Sequence, residues 1–560
     1  MNFDAKYAFE LQNTSYMDFQ PYSTYDENRV YTEGQLYKYS SRRFDETGQG
    51  TMNLHKMFGD FTVKSKFSYI YERRFTEWFD ATGTDFKFDV DRLTAFDNVK
   101  GEFAADNSTA EEVTKNGLGI LSLDYKGKYI LDGMYRMDGS SLFGANERWA
   151  SYYRVSGAYR ITEDFKIPGV QELKLRGAYG TSGQRPTFSM QYESMSIYRG
   201  NASKLTLGNA DLKPARSTEM EVGLNVDFLN RFDFEAVYSK TVTEDQFLQA
   251  PQAVQNGGWQ YRWVNAGTLE SYAIELTLGA SIVKTKDLSW NMRFIFDKIG
   301  SEITELNVPA FQTGPQGQEA DKLFYIREGE TLGTMYGYHF LTSLSDMEKQ
   351  LPAGQTIDMY EINSDGYVVP VGTQGTSFEV PVMEKDATGT NKLVKIGDSN
   401  ADFNLKMSTN INYKSFSFYM LWDWKQGGDV YNKTAQWLTR DNRSAIMDQY
   451  GKPENEKKTV TYYKTFYALN EMNDYWVEDG TYVKLREVSI YYNLNKKYLD
   501  KMRFIKGIKI GVVGRNLLTF TEYTGYDPEV QTRSSSQFYA YDFMGYPNFR
   551  SYSGSLEIKF

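Results

Sequence analysis

NLKMSTNINYKSFSFYMLWDW, residues Asn404–Trp424, is the stretch on which the fold turns. Leu405, Met407, Thr409, Ile411 and Tyr413 share one parity, and Asn404, Lys406, Ser408, Asn410 and Asn412 share the other. After a tight turn at Tyr413-Lys414-Ser415, the residues Phe416, Phe418, Met420, Trp422 and Trp424 line one face of a second run. A repeat of two residues means strands with one apolar and one polar face.

The same pattern recurs outward from this pair. Met220, Val222, Leu224, Val226 and Phe228 alternate with Glu219, Glu221, Gly223, Asn225 and Asp227. Ile274, Leu276, Leu278, Ala280 and Ile282 lie opposite Glu275, Thr277, Gly279 and Ser281. A soluble sandwich or propeller turns such an apolar face into a dry core, whereas a membrane barrel turns it to lipid and its polar face to a wet lumen.

Three features favour the barrel. The alternating runs last about 9–12 residues, close to the roughly 9–11 that a tilted strand needs to cross a bilayer, whereas soluble strands are usually about 5–6. Short connections at Lys126-Gly127-Lys128, Leu229-Asn230-Arg231, Thr285–Asp287 and Lys414-Ser415 alternate with long ones. The long ones lie at about 138–150, 181–216, 300–400 and 426–480, the sorting expected of periplasmic turns and extracellular loops. Finally, Tyr552, Gly554, Leu556, Ile558 and Phe560 share one parity to the last residue. A final amphipathic strand ending in Phe suits recognition by the outer-membrane assembly machinery, with Phe560 as its mark and the C-terminus on the short-turn side. Strand-end aromatics (Tyr152, Tyr153, Trp422, Trp424, Tyr491, Tyr492) fit interfacial girdles. The reading is therefore all-β, a large antiparallel transmembrane β-barrel, one domain over 1–560, with about 17 strands. The first four expected strands are Phe3–Leu11, Gly34–Phe44, Thr51–Met57 and Phe61–Tyr71.

Composition narrows the function. The 560 residues include no Cys and only two His, His55 and His339, which excludes disulfides, Cys-ligated metals and thiol nucleophiles. A net charge of −10 without a basic run argues against nucleic-acid binding. No apolar run of about 18 residues marks a transmembrane helix. Met1–Gln12 has neither a basic nor an apolar segment of a signal peptide. H-E-x-x-H, G-x-S-x-G and phosphate-loop patterns are absent, so no catalytic, cofactor or metal residue is assigned and the chain is read as a non-enzyme. Asp89 and Asp91 faintly suggest a calcium loop, but the Gly and terminal Glu it needs are missing, so a solvated loop is expected. Trp259, Tyr261 and Trp263, together with Trp437, are the ligand-contact candidates, because aromatic faces beside amides suit stacking on sugars or peptides. Trp476 lies in the same loop region as Trp437.

GRNLLTFTEYTGYDPEV, Gly514–Val530, resembles the C-terminal signature of SusC/RagA-type TonB-dependent outer-membrane transporters. Upstream, Tyr482–Val488 (YVKLREV), Asn209–Pro214 (NADLKP), Asn265-Ala266-Gly267, Gly428–Asn432 (GDVYN) and Arg136–Phe143 (RMDGSSLF) are similar to further family segments, in family order. The matching residues Asn209, Asp211, Lys213, Pro214, Arg515, Asn516, Tyr526, Asp527, Pro528 and Glu529 are expected to support the fold rather than to bind ligand.

The resemblance implies a barrel of about 22 strands around a plug, with a TonB box, a SusD-like surface lipoprotein partner, and oligosaccharide or peptide substrates. No plug or TonB box is recognisable in the chain, so it is expected to be the incomplete C-terminal part of a barrel, from a fragment or from a split or decayed gene. The TonB complex would be reached only through the plug region. The implied location is the Gram-negative outer membrane, multi-pass, contacting outer-membrane lipid, with extracellular long loops and a periplasmic C-terminus. Two other functions fit less well: a soluble all-β glycan-binding or glycan-degrading protein, and a passive porin.

Overall fold

A computed structural model of the chain describes all residues except 22–23, 26–30, 33, 89–93, 145–146, 199–200, 254, 256, 315–321, 468–470, 500–503 and 530–539. Asp89, Asp91 and Val530 therefore lie outside the described residues.

The long strands form a 16-stranded sheet, hydrogen-bonded neighbour to neighbour in chain order. They are β1 (Asn2–Gln20), β2 (Gln35–Phe58), β3 (Phe61–Thr84), β4 (Phe103–Tyr125), β5 (Tyr129–Ser140), β6 (Trp149–Arg160), β7 (Val170–Gln184) and β8 (Ala215–Phe228). They continue as β9 (Phe232–Glu244), β10 (Thr268–Lys284), β11 (Leu288–Glu305), β12 (Phe403–Tyr413), β13 (Phe416–Gln426), β14 (Tyr482–Asn493), β15 (Gly507–Thr521) and β16 (Ser551–Lys559). In the sheet order β1 and β16 are the two edges. Two compact units are distinguishable: 1–159, 178–219 and 243–266 in one; 160–177, 220–242 and 267–560 in the other.

Register carries the sequence parity across strands. Leu405 pairs with Phe296 and Trp424, Met407 with Phe294 and Trp422, and Ile411 with Trp290 and Phe418, all on one apolar face. The one polar atom of Trp290 is satisfied there, its indole N–H donating to Thr409 Oγ1 at 2.8 Å. The opposite face pairs Asn404 with Asp297, whose side chains are hydrogen-bonded at 2.7 Å. The apolar face stays exposed: Met220, Val222, Leu518, Phe520, Tyr552 and Leu556 are all open to the surroundings. A continuous apolar face of this size needs a non-aqueous neighbour, and strands of 11 residues in β12 and β13 are the right length for lipid. Strands of about five residues with both faces covered, which a soluble β protein would show, are not what these long strands form.

The tight turns fall where the sequence places them. Lys126 and Gly127 have φ of 58° and 69°, and Leu229 and Asn230 have 52° and 55°, the positive pair required by type I′ hairpins. Beside the short connections, aromatic rings pack across strands: Phe61 on Tyr125 at 4.5 Å, Tyr129 on Tyr159 at 4.8 Å, Phe228 on Phe232 at 5.1 Å and Phe416 on Tyr492 at 4.7 Å. This is the girdle pattern of a membrane interface. Two expected girdle residues differ. Tyr152 is buried, and Tyr491 lies on the polar face, where it packs over Gly511 and beneath Lys509 Nζ, 4.3 Å from the ring centroid.

The N-terminal strands depart from expectation. Gly34–Phe44 and Thr51–Met57 are one 24-residue strand, β2. Between the two expected strands, Gly48 pairs with Tyr7 and Tyr71 and Gly50 with Tyr69. A complete ladder on both sides outweighs the cost of glycine in a strand, about 0.5–1 kcal/mol each. β3 likewise runs on to Thr84, and β4 begins at Phe103, in a stretch with no apolar alternation.

The long connections 306–402 and 427–481 build their own core around Phe324, Met335, Phe340, Tyr431, Tyr462, Phe466 and Trp476. Trp476 is buried, with its indole N–H donating to Phe466 O at 2.7 Å, so it is a core residue rather than a ligand platform. The Lys458–Glu379 ion pair, 2.5 Å long with both side chains inaccessible, ties 379 to 458 beside this core, with Lys458 Nζ 4.9 Å from the centroid of the Tyr462 ring.

Met407→Lys is expected to cost about 2–4 kcal/mol in the membrane-assembled protein, because it sets a charge on the apolar face. Ser408→Lys, one residue away on the polar face, is expected to change stability by less than about 0.5 kcal/mol. Denaturant titration with the gel-mobility difference between folded and boiled protein as readout separates the two.

Candidate functional site

A dense polar cluster is made by a break in the sheet's parity. Along β14, Tyr482 pairs with Lys425 and Lys484 with Asp423, all on the polar face. The register then shifts, so that Leu421 pairs with Glu487 and Trp422 with Leu485, leaving Arg486 out of register. Toward β15, Leu485 pairs with Leu518 and Glu487 with Arg515, so Asn516 and Leu517 stand opposite Arg486. Asn516 takes a φ of 51°, the left-handed conformation that Asn tolerates better than other side chains with a Cβ. This bulge gathers Tyr482, Lys484 and Arg486 toward the segment after β15.

That segment is the Asp-Pro-Glu of the signature. Lys484 Nζ contacts Asp527 Oδ1 and Glu529 Oε2, each at 2.5 Å. Arg486 bridges Asp423 and Glu529, its Nη2 at 2.5 Å from each and its Nη1 at 2.6 Å from Glu529 Oε2. The Tyr482 hydroxyl donates to Glu529 Oε1 at 3.0 Å, and Asp527 Oδ1 accepts the Glu529 N–H at 2.9 Å, closing the turn over buried Pro528. Burial alone would raise the Glu529 carboxyl, but hydrogen bonds from Arg486 and Lys484 and their charges outweigh it and hold the group at about 2. A cavity of about 600 Å³ opens beside this network, with Arg486, Tyr482 and Glu529 on its wall and Lys425 and Asn548 nearby on the same lining.

The other signature residues are clasps between segments. The Asn209 amide donates to Trp263 O at 3.1 Å, while Asn265 accepts the Lys213 N–H at 2.9 Å and donates to Lys213 O at 3.0 Å. Two separate sequence segments, NADLKP and NAG, thus hold one another, with Leu212 inaccessible between them and Pro214 leading into β8. Asp211 closes the same turn, its N–H donating to Asn209 Oδ1 at 3.0 Å. In RMDGSSLF, Arg136 pairs with Asp138 at 2.5 Å, Gly139 lies under Trp149 where a Cβ would stand 2.7 Å from the ring, and Phe143 is inaccessible. Arg515 pairs with Glu487 at 3.1 Å, Asn516 donates to Phe549 O at 3.2 Å, and Tyr526 and Phe560 are exposed.

The ligand-contact candidates separate into two groups. Tyr261 and Trp263 lie on the strand Tyr261–Asn265 of a four-stranded sheet with Ser194–Tyr198, Asn201–Leu207 and Phe247–Pro251, and Trp259 just precedes it. All three are half-buried. Lys204 covers the Trp259 ring, its Nζ 5.3 Å from the centroid and donating to Gly257 O at 2.9 Å. Trp437 belongs to the other unit, where it is edge-on to Phe543 at 5.0 Å and covered by the Arg440 guanidinium at 3.9 Å. Sequence reasoning missed Asp423, Lys425, Lys484 and Arg486 as site residues. The available signal was their place on the polar parity of strands whose other face is apolar.

An exposed apolar face, a polar face carrying a charge network and cavity, and loops sorted by length define the barrel of an outer-membrane transporter. Residues 1–325 match the family model of the TonB dependent receptor-like β-barrel. The chain belongs to the TonB-dependent receptor family. It is 24% identical to TonB-dependent receptor P39 of Formosa agariphila over its whole length, covering 57% of that protein. It is 21% identical to TonB-dependent receptor SusC of Bacteroides thetaiotaomicron, with 74% of the chain matched to 41% of that protein. The RagAB peptide importer in its closed-closed state shares the fold, with a TM-score of 0.76 at 18% identity over 99% of this chain and 60% of that one. The chain thus spans a little over half the length of the first of these relatives.

Glu529→Gln is expected to destabilise the protein by about 3 kcal/mol, since it leaves two partly buried cations short of a partner. Because the Glu529 pKa is depressed in the folded state, its contribution is present above the ordinary glutamate pKa and disappears as pH falls through about 2. Melting temperature measured from pH 6 to pH 2 should drop less steeply in Glu529→Gln than in the wild type. Asn516→Gly should be nearly neutral, while Asn516→Val should cost about 1–2 kcal/mol of backbone strain, read in the same assay.

Proposed function

We propose that the chain is the barrel portion of a TonB-dependent importer that takes up oligosaccharides or peptides with a SusD-like lipoprotein partner. The long connections, including 306–402, 427–481 and 522–550, then face the medium, and the short turns and C-terminus face the periplasm. The carrying observation is the pairing of sorted loops with a polar face bearing a cavity at the long-loop end of β13 and β14. The loops capture a solute outside, and the polar face conducts it inward once a plug region coupled to TonB yields. Aromatic residues Trp259, Tyr261, Trp263 and Trp437 offer stacking surfaces for such solutes. Import of this kind moves a solute without breaking a covalent bond, so no catalytic residue is called for.

In cells expressing the complete protein, uptake of labelled oligosaccharides or oligopeptides should fall to background when TonB is deleted or the proton-motive force is collapsed. Uptake that persists under both conditions would instead indicate a passive pore. An epitope inserted after Thr388, in the exposed turn 386–390, should be reached by antibody on intact cells. One inserted at Gly127, in the short turn after β4, should be reached only after the outer membrane is permeabilised.

A further inference from the structure

We propose that Lys425 makes the cavity beside the signature network selective for a carboxylate on the imported solute. This rests on the importer reading and adds the charge of the substrate. The cavity of about 600 Å³ is lined by three charged side chains, Lys425, Arg486 and Glu529. Two of them are spent on each other: Arg486 bridges Asp423 and Glu529, and Glu529 also takes Lys484 and the Tyr482 hydroxyl. Lys425 is different. It is half-buried on the polar face of β13, and among the described residues its ammonium has no carboxylate within ion-pair distance and no hydrogen-bond acceptor.

The surroundings of Lys425 explain why its ammonium makes no ion pair or hydrogen bond among the described residues. Gly428 and Gly480 press on it from one side. A Cβ on Gly428 would stand 2.9 Å from Lys425 Nζ, and one on Gly480 would stand 3.3 Å away. Gly428 also takes a φ of 80°, and its carbonyl accepts the Gly480 N–H at 2.9 Å, so this wall is backbone held to backbone. The nearby carboxylates are engaged elsewhere: Asp429 accepts the Asp398 N–H at 2.8 Å, and Asp479 accepts the Thr481 N–H at 2.8 Å and its hydroxyl at 2.6 Å. Among the described residues, what remains for the ammonium is the cavity, where the Asn548 amide is a second donor with a long 3.5 Å bond to Glu529. A half-buried ammonium with no acceptor is stabilised by donating a charge-assisted hydrogen bond to an incoming carboxylate. Such a group is supplied equally by an acidic peptide or by a uronic-acid oligosaccharide.

The test uses the complete detergent-purified transporter and four probes: triglutamate, trigalacturonate, triglutamine and maltotriose. Binding is measured by calorimetry for wild type, Lys425→Met and Lys425→Arg, each first shown to keep the folded gel mobility. The expected result is saturable binding of at least one acidic probe, weakened about tenfold or more by Lys425→Met and largely kept by Lys425→Arg, with neutral probes unaffected by either. The acidic probe that binds identifies the source of the carboxylate. Equal affinity of wild type and Lys425→Met for that probe, or no saturable binding of either acidic probe, would overturn the proposal. Energised uptake is measured in parallel: TonB-dependent uptake that ignores Lys425 removes the charge selectivity but leaves the importer standing, whereas TonB-independent uptake removes the importer itself.

Discussion

Hydrocarbon contains no water to satisfy backbone N–H and C=O groups, so a chain that enters it as strands must pair those groups with neighbouring strands. The other features of this protein follow from that demand. Pairing across neighbours in chain order builds the 16-stranded sheet. Register then forces the two side-chain parities onto opposite faces, as in the column Phe294, Met407 and Trp422 against the polar column beside it. One face must tolerate lipid, and the other is free to carry charge.

The site exists because the rule is broken at the right place. A regular β14 would hold Arg486 on the same parity as Tyr482 and Lys484 only by sending Glu487 to the apolar face. The shift around Arg486 and Asn516 resolves this: Tyr482 and Lys484 point to the polar side before it, and Glu487 and Ser489 do so after it. The two family segments YVKLREV and GRNLLTFTEYTGYDPEV are thereby one physical object. The first supplies the cations, and the second supplies both the left-handed residue that permits the bulge and the carboxylates that neutralise it. Their ion pairs tie the loop after β15 to the strand wall, next to the cavity.

Much of this was legible in the sequence where one face meets lipid. The alternation of β12 and β13, the tight turns at Lys126-Gly127 and Leu229-Asn230 and the terminal run to Phe560 stand out because lipid imposes a strict apolar parity. The halves of β3 and β4 from about Glu72 to Thr84 and Phe103 to Asn116 were not legible. Residues such as Asp106, Asn107, Ser108 and Thr109 show no apolar face, and only their ladder makes them strand. The continuity of β2 through Gly48 and Gly50 has the related reason that pairing on both sides overrides local preference. Asn209, Asn265, Asn516 and Asp527 make hydrogen bonds and ion pairs between segments far apart in sequence, contacts that no local pattern announces. That the Lys425 ammonium has no hydrogen-bond acceptor among the described residues had no sequence signal, because it depends on where Gly428, Gly480 and Glu529 come to lie.

The most direct measurement exploits the absence of cysteine from all 560 residues. Single cysteines placed in turn at Phe416 through Gln426 of the membrane-assembled protein are exposed to a water-soluble thiol reagent and, in separate samples, to a quencher confined to lipid. The account predicts strict alternation, with Ser417, Tyr419, Leu421, Asp423 and Lys425 positions modified from water and Phe416, Phe418, Met420, Trp422 and Trp424 positions reached only from lipid. Uniform modification along the strand, or water access at the apolar parity, would contradict it.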